Sequence, residues 1–454
     1  MINFKFLKKQ PIINKLKSVI TGRDRKRLIN LSLFSVLISV VETIGVTAIM
    51  PFMAIATDFS LIETNPYYNY TFHLFDFHNK NYFVITFGVL LILFYVFRSL
   101  INLFYIYLLN KFSQEKFHLI AYGLFKKYTQ IPYKDYIQQN SSNLLKNITQ
   151  ESSNVTLLIQ SSLMLLSEIG VLILIYSVLL FVNYEITLFL TLLLAIKGVF
   201  LIKIISKKMK VLGVLRANMQ KRIYEVINKN LANIKLIKLR ADNDIEYIEF
   251  IDPSNILVEA NIKAATMIQV PKFFLEAIGF AMIIGMMSYL LWEGGGDISS
   301  SVGVFAIFVL ALYRLLPSLS RIISHYNTIQ FNYKALDIVY EGLNYDSELA
   351  GECSIAFNSE IKLDSVCFKY QNEVNILNDI KLSIKKGEKI AFVGESGSGK
   401  STLVNIIMGL YMPTKGRVII DGQILKEESL LSWRKKIGYV SQDIYLFDGT
   451  VAEN

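Results

Sequence analysis

The sequence predicts a membrane domain of six transmembrane α-helices with long cytosolic extensions, followed by a soluble α/β domain with a phosphate-binding loop. Three observations lead to this fold class. The 454 residues are 53% hydrophobic with a mean hydropathy of +0.40, which is too apolar for an ordinary soluble protein. The apolar residues occur in blocks of about twenty or more, the length that crosses a bilayer as a helix. After about residue 345 short alternating segments and a glycine-rich motif replace these blocks.

The apolar blocks define the membrane domain. The predicted spans cover approximately residues 31–55, 83–109, 156–182, 185–206, 271–292 and 302–325. The first thirty residues are basic and precede the first block, which does not fit a cleavable signal peptide. We therefore predict a membrane domain over residues 1–345 and a second domain over residues 346–454.

Basic residues between the spans predict the orientation. The N-terminal segment and the loops 110–155 and 207–265 are rich in Lys and Arg, whereas loop 56–82 and the turn 293–297 carry more acidic than basic residues. Loops rich in Lys and Arg stay in the cytoplasm. Both termini are therefore predicted to be cytoplasmic.

The two long internal loops contain little Gly or Pro and continue the helical periodicity of their neighbouring spans. We interpret them as extensions of the membrane helices, joined by short turns near residues 130–136 and 240–247. Flexible loops are the alternative, but unstructured loops of this length are uncommon.

The net charge of +10 does not indicate nucleic-acid binding, because no recognition motif accompanies it. In a membrane protein, excess Lys and Arg usually lies in cytoplasmic loops. Cys353 and Cys367 both fall in the predicted cytosolic part, so we expect reduced thiols rather than a disulfide.

The run "KIAFVGESGSGKSTLVNIIMGLY" predicts a strand, a glycine-rich loop and a helix, and it fits the pattern G-x-x-x-x-G-K-[ST]. In this pattern backbone N–H groups and the helix N-terminus face phosphate oxygens. Lys400 would pair with the β- and γ-phosphates, and the Ser401 hydroxyl would bind Mg²⁺. The predicted ATP-binding residues are Gly394, Glu395, Ser396, Gly397, Ser398, Gly399, Lys400, Ser401 and Thr402.

Two residues that flank the motif indicate which family of phosphate-loop proteins the chain resembles. Tyr370 ends a strand-like run thirty residues before Lys400, and an aromatic ring there can stack on adenine. Gln442 follows a short predicted strand in "KKIGYVSQDIYLF". A half-buried strand aromatic and a surface turn residue are the alternative readings. The set resembles the ABC transporters, and this implies that Tyr370 stacks on adenine and that Gln442 reaches Mg²⁺ and the attacking water, beside Lys400.

The order of six spans before the phosphate loop resembles ABC exporters with both domains in one chain. This resemblance implies a homodimer that sandwiches ATP, with coupling helices at the two cytosolic turns. The runs "IFVLALYRLLPSLSRIISHYN", "NYEITLFL" and "QVPKFFLEAIGF" further resemble the bacterial flippases of N-linked protein glycosylation. They imply a polyprenyl-pyrophosphate-linked oligosaccharide as substrate, in the bacterial cytoplasmic membrane. An exporter of drugs, peptides or lipid A, and a membrane-anchored nucleotide-binding module that does not transport, stay open as alternatives.

The chain departs from the family at its C-terminal end. It stops at "SQDIYLFDGTVAEN", before the positions where the family has its signature motif, its Walker B aspartate with the catalytic glutamate, and its switch histidine. We expect residues 346–454 to be the N-terminal part of a nucleotide-binding domain that is inactive alone. The function predicted here belongs to the complete protein.

Basic side chains within the spans are candidate substrate residues. They are Arg98, Lys272, Arg314 and Arg321. Each can instead pair with an intramembrane acid such as Glu42, Glu168 or Glu276, or extend to the interface. We predict that they line a central cavity and bind the pyrophosphate, because the guanidinium fork binds phosphate oxygens bidentately.

The outer loop after the first span is rich in aromatic residues, as in "DFSLIETNPYYNYTFHLFDF". An aromatic belt at the membrane interface is the ordinary explanation. The resemblance implies a short external helix that engages the polyprenyl tail.

Overall fold

A computed structural model describes residues 15–16, 22–182, 184–240, 244–293, 302–348, 351, 353–370, 375–441 and 449–452. Within these ranges a few side chains, including that of Arg314, lie outside the described set. The chain forms two compact units. The first comprises Met1–Phe125 and Ser141–Leu343, and the second comprises Lys126–Asn140 and Asn344–Asn454.

The first unit is helical. Its elements are α1 (Gly22–Thr57), α2 (Leu61–Thr64), α3 (Pro66–Leu74), α4 (Lys80–Thr129), which runs into the second unit, α6 (Ser141–Lys146), α7 (Ser152–Val182), α8 (Tyr184–Ala232), α9 (Ile234–Arg240), α10 (Asp244–Glu293) and α11 (Val302–Leu343). A π-helical turn, Asn147–Glu151, joins α6 to α7.

Four helices in the described part of the chain are long and apolar enough to cross a membrane: Asp24–Thr57, Lys80–Thr129, Ser141–Phe181 and Asp244–Ser288. The predicted spans 185–206 and 302–325 lie within α8 and α11. Helices α4 and α10 have 50 residues each, or about 75 Å at 1.5 Å per residue, which is far more than a bilayer core. The predicted helical extensions are therefore confirmed, and the alternative interpretation of these segments as flexible loops is wrong.

Close backbone packing joins α8 to α11. A Cβ atom on Gly213 would lie only 2.1 Å from the carbonyl oxygen of Phe331, so the two helices meet where α8 has no side chain. On the same helices Met209 and Ile323 are buried in one apolar cluster.

A buried polar cluster lies beside this contact. Glu151, on the π-helical turn, is fully buried, with Lys146 Nζ 3.0 Å from its Oε1 and Arg216 Nη2 4.0 Å from its Oε2. Arg216 also donates to Asn332 Oδ1 at 2.7 Å. Burial lowers the pKa of Arg216, while the nearby Glu151 opposes that shift. The cluster thus links α6, α8 and α11 through buried polar and charged side chains.

The second unit contains a four-stranded antiparallel sheet of order β2-β1-β3-β4. Its strands are β1 (Glu360–Phe368), β2 (Leu377–Lys385), β3 (Lys415–Ile420) and β4 (Gln423–Ile424). Ile361 lies opposite Ile384 on one side and Ile420 on the other. The helices of this unit are α5 (Tyr133–Tyr136), α12 (Lys400–Ile407) and α13 (Leu430–Arg434), and Ile406 of α12 is fully buried against the sheet residues. Both cysteines are free thiols.

Two predicted strands are wrong. Residues 389–394, before the glycine-rich loop, and residues 435–440 are not strands, and Val393 is 93% exposed. The β propensity of these segments is high, but an extended segment becomes a strand only when a neighbour takes up its backbone hydrogen bonds. The described strands do not pair with either segment.

The turn after α4 belongs to the second unit. The backbone N–H of Glu348 donates to the carbonyl of Gln130 at 2.8 Å, and the ring of Tyr133 packs on that of Tyr411, with centroids 5.6 Å apart. This turn, predicted at residues 130–136, therefore packs on nucleotide-domain residues of its own chain.

Candidate nucleotide site and intramembrane charges

The glycine-rich loop has the backbone geometry that its sequence requires. Gly397 and Gly399 have φ angles of 85° and 91°, the left-handed region that favours glycine. A Cβ atom at Gly399 would also lie 2.9 Å from Leu377 Cδ2. Helix α12 begins at the next residue, so its free N–H groups face the loop.

Lys400 bends back over this loop. Its Nζ donates to the carbonyl oxygens of Gly394 and Glu395 at 2.8 and 2.6 Å, and it lies 3.4 Å from Ser398 Oγ. The ammonium group is therefore held inside the loop, where the motif binds phosphate. These residues fit a nucleoside triphosphate.

Tyr370 lies close to the start of α12. Its hydroxyl is 3.4 Å from Thr402 Oγ1, and its ring meets the rings of Phe368 and Tyr411 edge-on at 5.2 and 5.6 Å. The ring is 37% exposed, which leaves area for stacking. Tyr411 could not be singled out from the sequence, because its contact with Tyr370 joins segments that are distant in the chain.

The metal-binding prediction is only partly covered by the structure. Gln442 lies outside the described residues, and Ser401 is exposed at the start of α12. Among the described residues no group of three or more His, Cys, Asp or Glu is placed to hold a metal ion. Binding of Mg²⁺ through Ser401 and Gln442 stays a prediction.

The candidate substrate residue Arg98 is paired. Its Nε and Nη2 donate to the two carboxylate oxygens of Glu42 at 3.0 and 2.5 Å, joining α4 to α1. Arg321 is paired as well: its Nε and Nη2 donate to Glu168 on α7 at 2.5 and 3.2 Å. Both residues therefore form the ion pair with an intramembrane glutamate that the sequence left open as the alternative to substrate binding. Each bond spans many residues of sequence, so the partner could not be assigned from spacing.

The other two candidates differ. Lys272 is exposed, with its Nζ 5.6 Å from the centroid of the Phe273 ring. The backbone of Arg314 is helical within α11, but its side chain lies outside the described residues. The structure thus brings together two Arg–Glu pairs and does not test a joint cavity.

The outer aromatic loop forms α2 and α3. Helix α3, the residues that follow it and the ends of α1 and α4 line an apolar cavity of about 360 Å³. Its lining residues are Ile55, Tyr67, Tyr68, Thr71, Phe75, Phe77, Phe83, Thr86, Phe87 and Leu90. The predicted short helix is present as α3, and its aromatic side chains form part of the cavity wall.

Comparisons with known proteins agree with this architecture. Residues 32–315 match the family described as ABC transporter transmembrane region, and residues 377–454 match the family described as ABC transporter. A solved structure of a bacterial Atm1-family ABC exporter with ATP bound is similar in fold, with a TM-score of 0.71 at 18% identity, covering 94% of this chain and 73% of that chain.

Two curated relatives extend the comparison. An ATP-dependent lipid A-core flippase of Ralstonia nicotianae is 25% identical over 355 residues, which are 77% of this chain and 59% of the relative. An uncharacterised ABC transporter ATP-binding protein of Bacillus subtilis is 29% identical over 343 residues, 73% and 58% of the two chains. The chain thus spans about three fifths of the length of these relatives. Its membrane helices, phosphate loop and family matches together show that it belongs to the ABC transporters, with the domain order of an exporter.

Proposed function

We propose that the complete protein is an ATP-driven flippase for a polyprenyl-pyrophosphate-linked oligosaccharide. The observation that carries this proposal is Arg321, a charged side chain within a predicted span that is still 40% exposed. An unpaired intramembrane arginine costs several kcal/mol. Glu168 offsets part of that cost for Arg321 and still leaves the guanidinium group accessible. An exposed one is suited to an anionic head group crossing the membrane.

The outer cavity supports the same class of substrate. Its wall is aromatic and aliphatic, and it lies next to the outer end of α1. An apolar chain gains free energy there in proportion to the area it buries. A substrate with an anionic head and a long apolar tail therefore fits both features, with part of the tail in this cavity and the head at Arg321.

ATP would drive the transport through the phosphate loop. Lys400 supplies charge to the β- and γ-phosphates, and Mg²⁺ held by Ser401 and Gln442 would offset further charge on the transferred phosphoryl group. Two copies of the complete protein would form the working transporter in the bacterial cytoplasmic membrane, as half transporters of this type generally dimerise.

The test uses the complete protein in proteoliposomes with a fluorescent polyprenyl-pyrophosphate glycolipid. We expect Arg321→Ala to lower ATP-dependent flipping about tenfold or more while basal ATP hydrolysis continues. Arg222→Ala, an exposed arginine on the cytosolic extension of α8, is the matched control and should flip normally. Normal flipping by Arg321→Ala would refute the proposed head-group role.

A second candidate is a flippase for a different lipid. It is favoured by the relatives named ATP-dependent lipid A-core flippase at 24 to 26% identity. Offering both lipids to the same proteoliposomes distinguishes the two, because only the true substrate should be flipped and stimulate hydrolysis.

A further inference from the structure

The two intramembrane Arg–Glu pairs are built differently. The Arg98–Glu42 pair is enclosed: its side chains are 21% and 7% exposed, and Asn102 also donates to Glu42 at 2.6 Å. The Arg98 guanidinium carbon lies 5.6 Å from the Tyr95 ring centroid, and a Cβ on Gly45 would come within 3.2 Å of Arg98 Nη1. The Arg98 side chain thus packs closely against α1, next to Gly45 and Glu42.

The Arg321–Glu168 pair is more open. Its side chains are 40% and 17% exposed. Besides Glu168, the described hydrogen-bond partner of Arg321 is the Ser318 hydroxyl, 3.3 Å from Nη2 on the same helix. The edge that Arg321 uses for Glu168, formed by Nε and Nη2, is one of the two edges with which a guanidinium group can bind a phosphate bidentately.

We propose that Glu168 is a placeholder for the substrate phosphate: it occupies the fork of Arg321 in the empty transporter and is displaced when an anionic lipid head group binds. The proposal rests on the proposed function, since it needs a phosphate-bearing substrate. It assigns Arg98, by contrast, to holding α4 against α1.

Energetics favour such an exchange at Arg321. A bare arginine within the membrane is costly, so a carboxylate partner stabilises the empty state. One fork cannot hold a carboxylate and a phosphate together. After exchange the displaced carboxylate lies close to a second anion and repels it. Glu168 therefore weakens substrate binding and speeds release, which a transporter needs if its cargo is to leave.

The experiment measures binding of farnesyl pyrophosphate, with farnesol as the uncharged comparison, to this chain in nanodiscs of neutral lipid. Glu168→Gln keeps the size of the side chain but removes its charge. We expect it to tighten farnesyl pyrophosphate binding about tenfold and to slow dissociation, with farnesol unaffected. Adding Arg321→Gln to this variant should abolish the gain.

Glu42→Gln is the matched control. It removes the equivalent charge from the other pair, and we expect a lower unfolding temperature with no gain in binding. The proposal is overturned if a folded Glu168→Gln chain binds no more tightly than wild type, or if Glu42→Gln tightens binding equally. If neither the wild type nor any variant prefers farnesyl pyrophosphate over farnesol, the proposed function fails as well. That outcome is distinguishable from one in which all proteins prefer the pyrophosphate but bind it with the same affinity, which overturns only the role of Glu168.

Discussion

At the scale of single residues, we expect nucleotide binding by the phosphate loop to depend on Lys400. Its ammonium group is held by two loop carbonyls, and the residue belongs to the second unit. We expect Lys400→Ala to abolish ATP-driven transport in the complete protein and to leave the thermal unfolding of the membrane helices unchanged. Lys381→Ala, an exposed lysine on β2, serves as the control. Undiminished ATP hydrolysis by Lys400→Ala would show that the loop has another role.

Tyr411 is expected to position the adenine-stacking ring. It packs against Tyr370 on one side and against Tyr133, in the turn after α4, on the other. We expect Tyr411→Ala to raise the KM for ATP several-fold while kcat changes little, because base stacking contributes about 1–3 kcal/mol. Tyr411→Phe keeps the ring and should restore the wild-type KM. Competition by inorganic triphosphate, which has no base, should be the same in all three proteins.

At the scale of elements, the buried charges next to the π-helical turn tie three helices together. Removing Glu151 leaves Lys146 and Arg216 as buried cations without their acid. We expect Glu151→Ala to cost about 3–5 kcal/mol of stability, measured by thermal unfolding. The matched control is Glu259→Ala, which removes an exposed i,i+4 partner of Lys263 and should cost less than about 0.5 kcal/mol. Equal effects of the two substitutions would mean that the buried cluster rearranges without strain.

The outer helices α2 and α3 give a second prediction at this scale. Deleting residues 61–75 removes part of the apolar cavity wall and none of the phosphate loop. We expect flipping of a long-chain polyprenyl substrate to fall strongly while much of the ATP hydrolysis remains. A substrate with a much shorter tail should be less affected by the deletion. Loss of hydrolysis in proportion to flipping would indicate that these helices only support the fold.

Helix lengths followed from the sequence, but helix rotations did not. Apolar blocks and unbroken periodicity predict α4 and α10 almost to their ends. The pairing of Arg321 with Glu168 depends instead on how α7 and α11 face each other, over a separation of 153 residues. The residues around the phosphate loop show the same dependence on distant contacts. The motif identified Lys400 from local sequence, whereas strand formation before the loop depends on pairing with other segments, which local β propensity does not predict.

At the scale of the whole molecule, the predicted topology has both termini and both long turns in the cytoplasm. In a chain with both cysteines replaced by serine, single cysteines at Tyr70 and Gly295 should react with an impermeant thiol reagent added outside intact cells. Cysteines at Lys134 and Asp242 should react only after the membrane is opened. Reaction of the Lys134 position in intact cells would contradict the six-span orientation.

The exposure of α4 has a consequence for how the protein is made. Among the described residues, the most apolar stretch of this helix contains no buried residue, so its own chain covers little of it. A helix whose backbone hydrogen bonds are internal and whose side chains are apolar is stable in lipid as soon as it inserts, before the later helices are synthesised. Its attachment to α1 then depends on a few polar clasps, such as the bond from the Tyr95 hydroxyl to the Gly45 carbonyl at 2.5 Å. During synthesis these polar contacts would bring the inserted α4 against α1. Substitution of one of the residues that form them would delay this packing step without preventing insertion of α4.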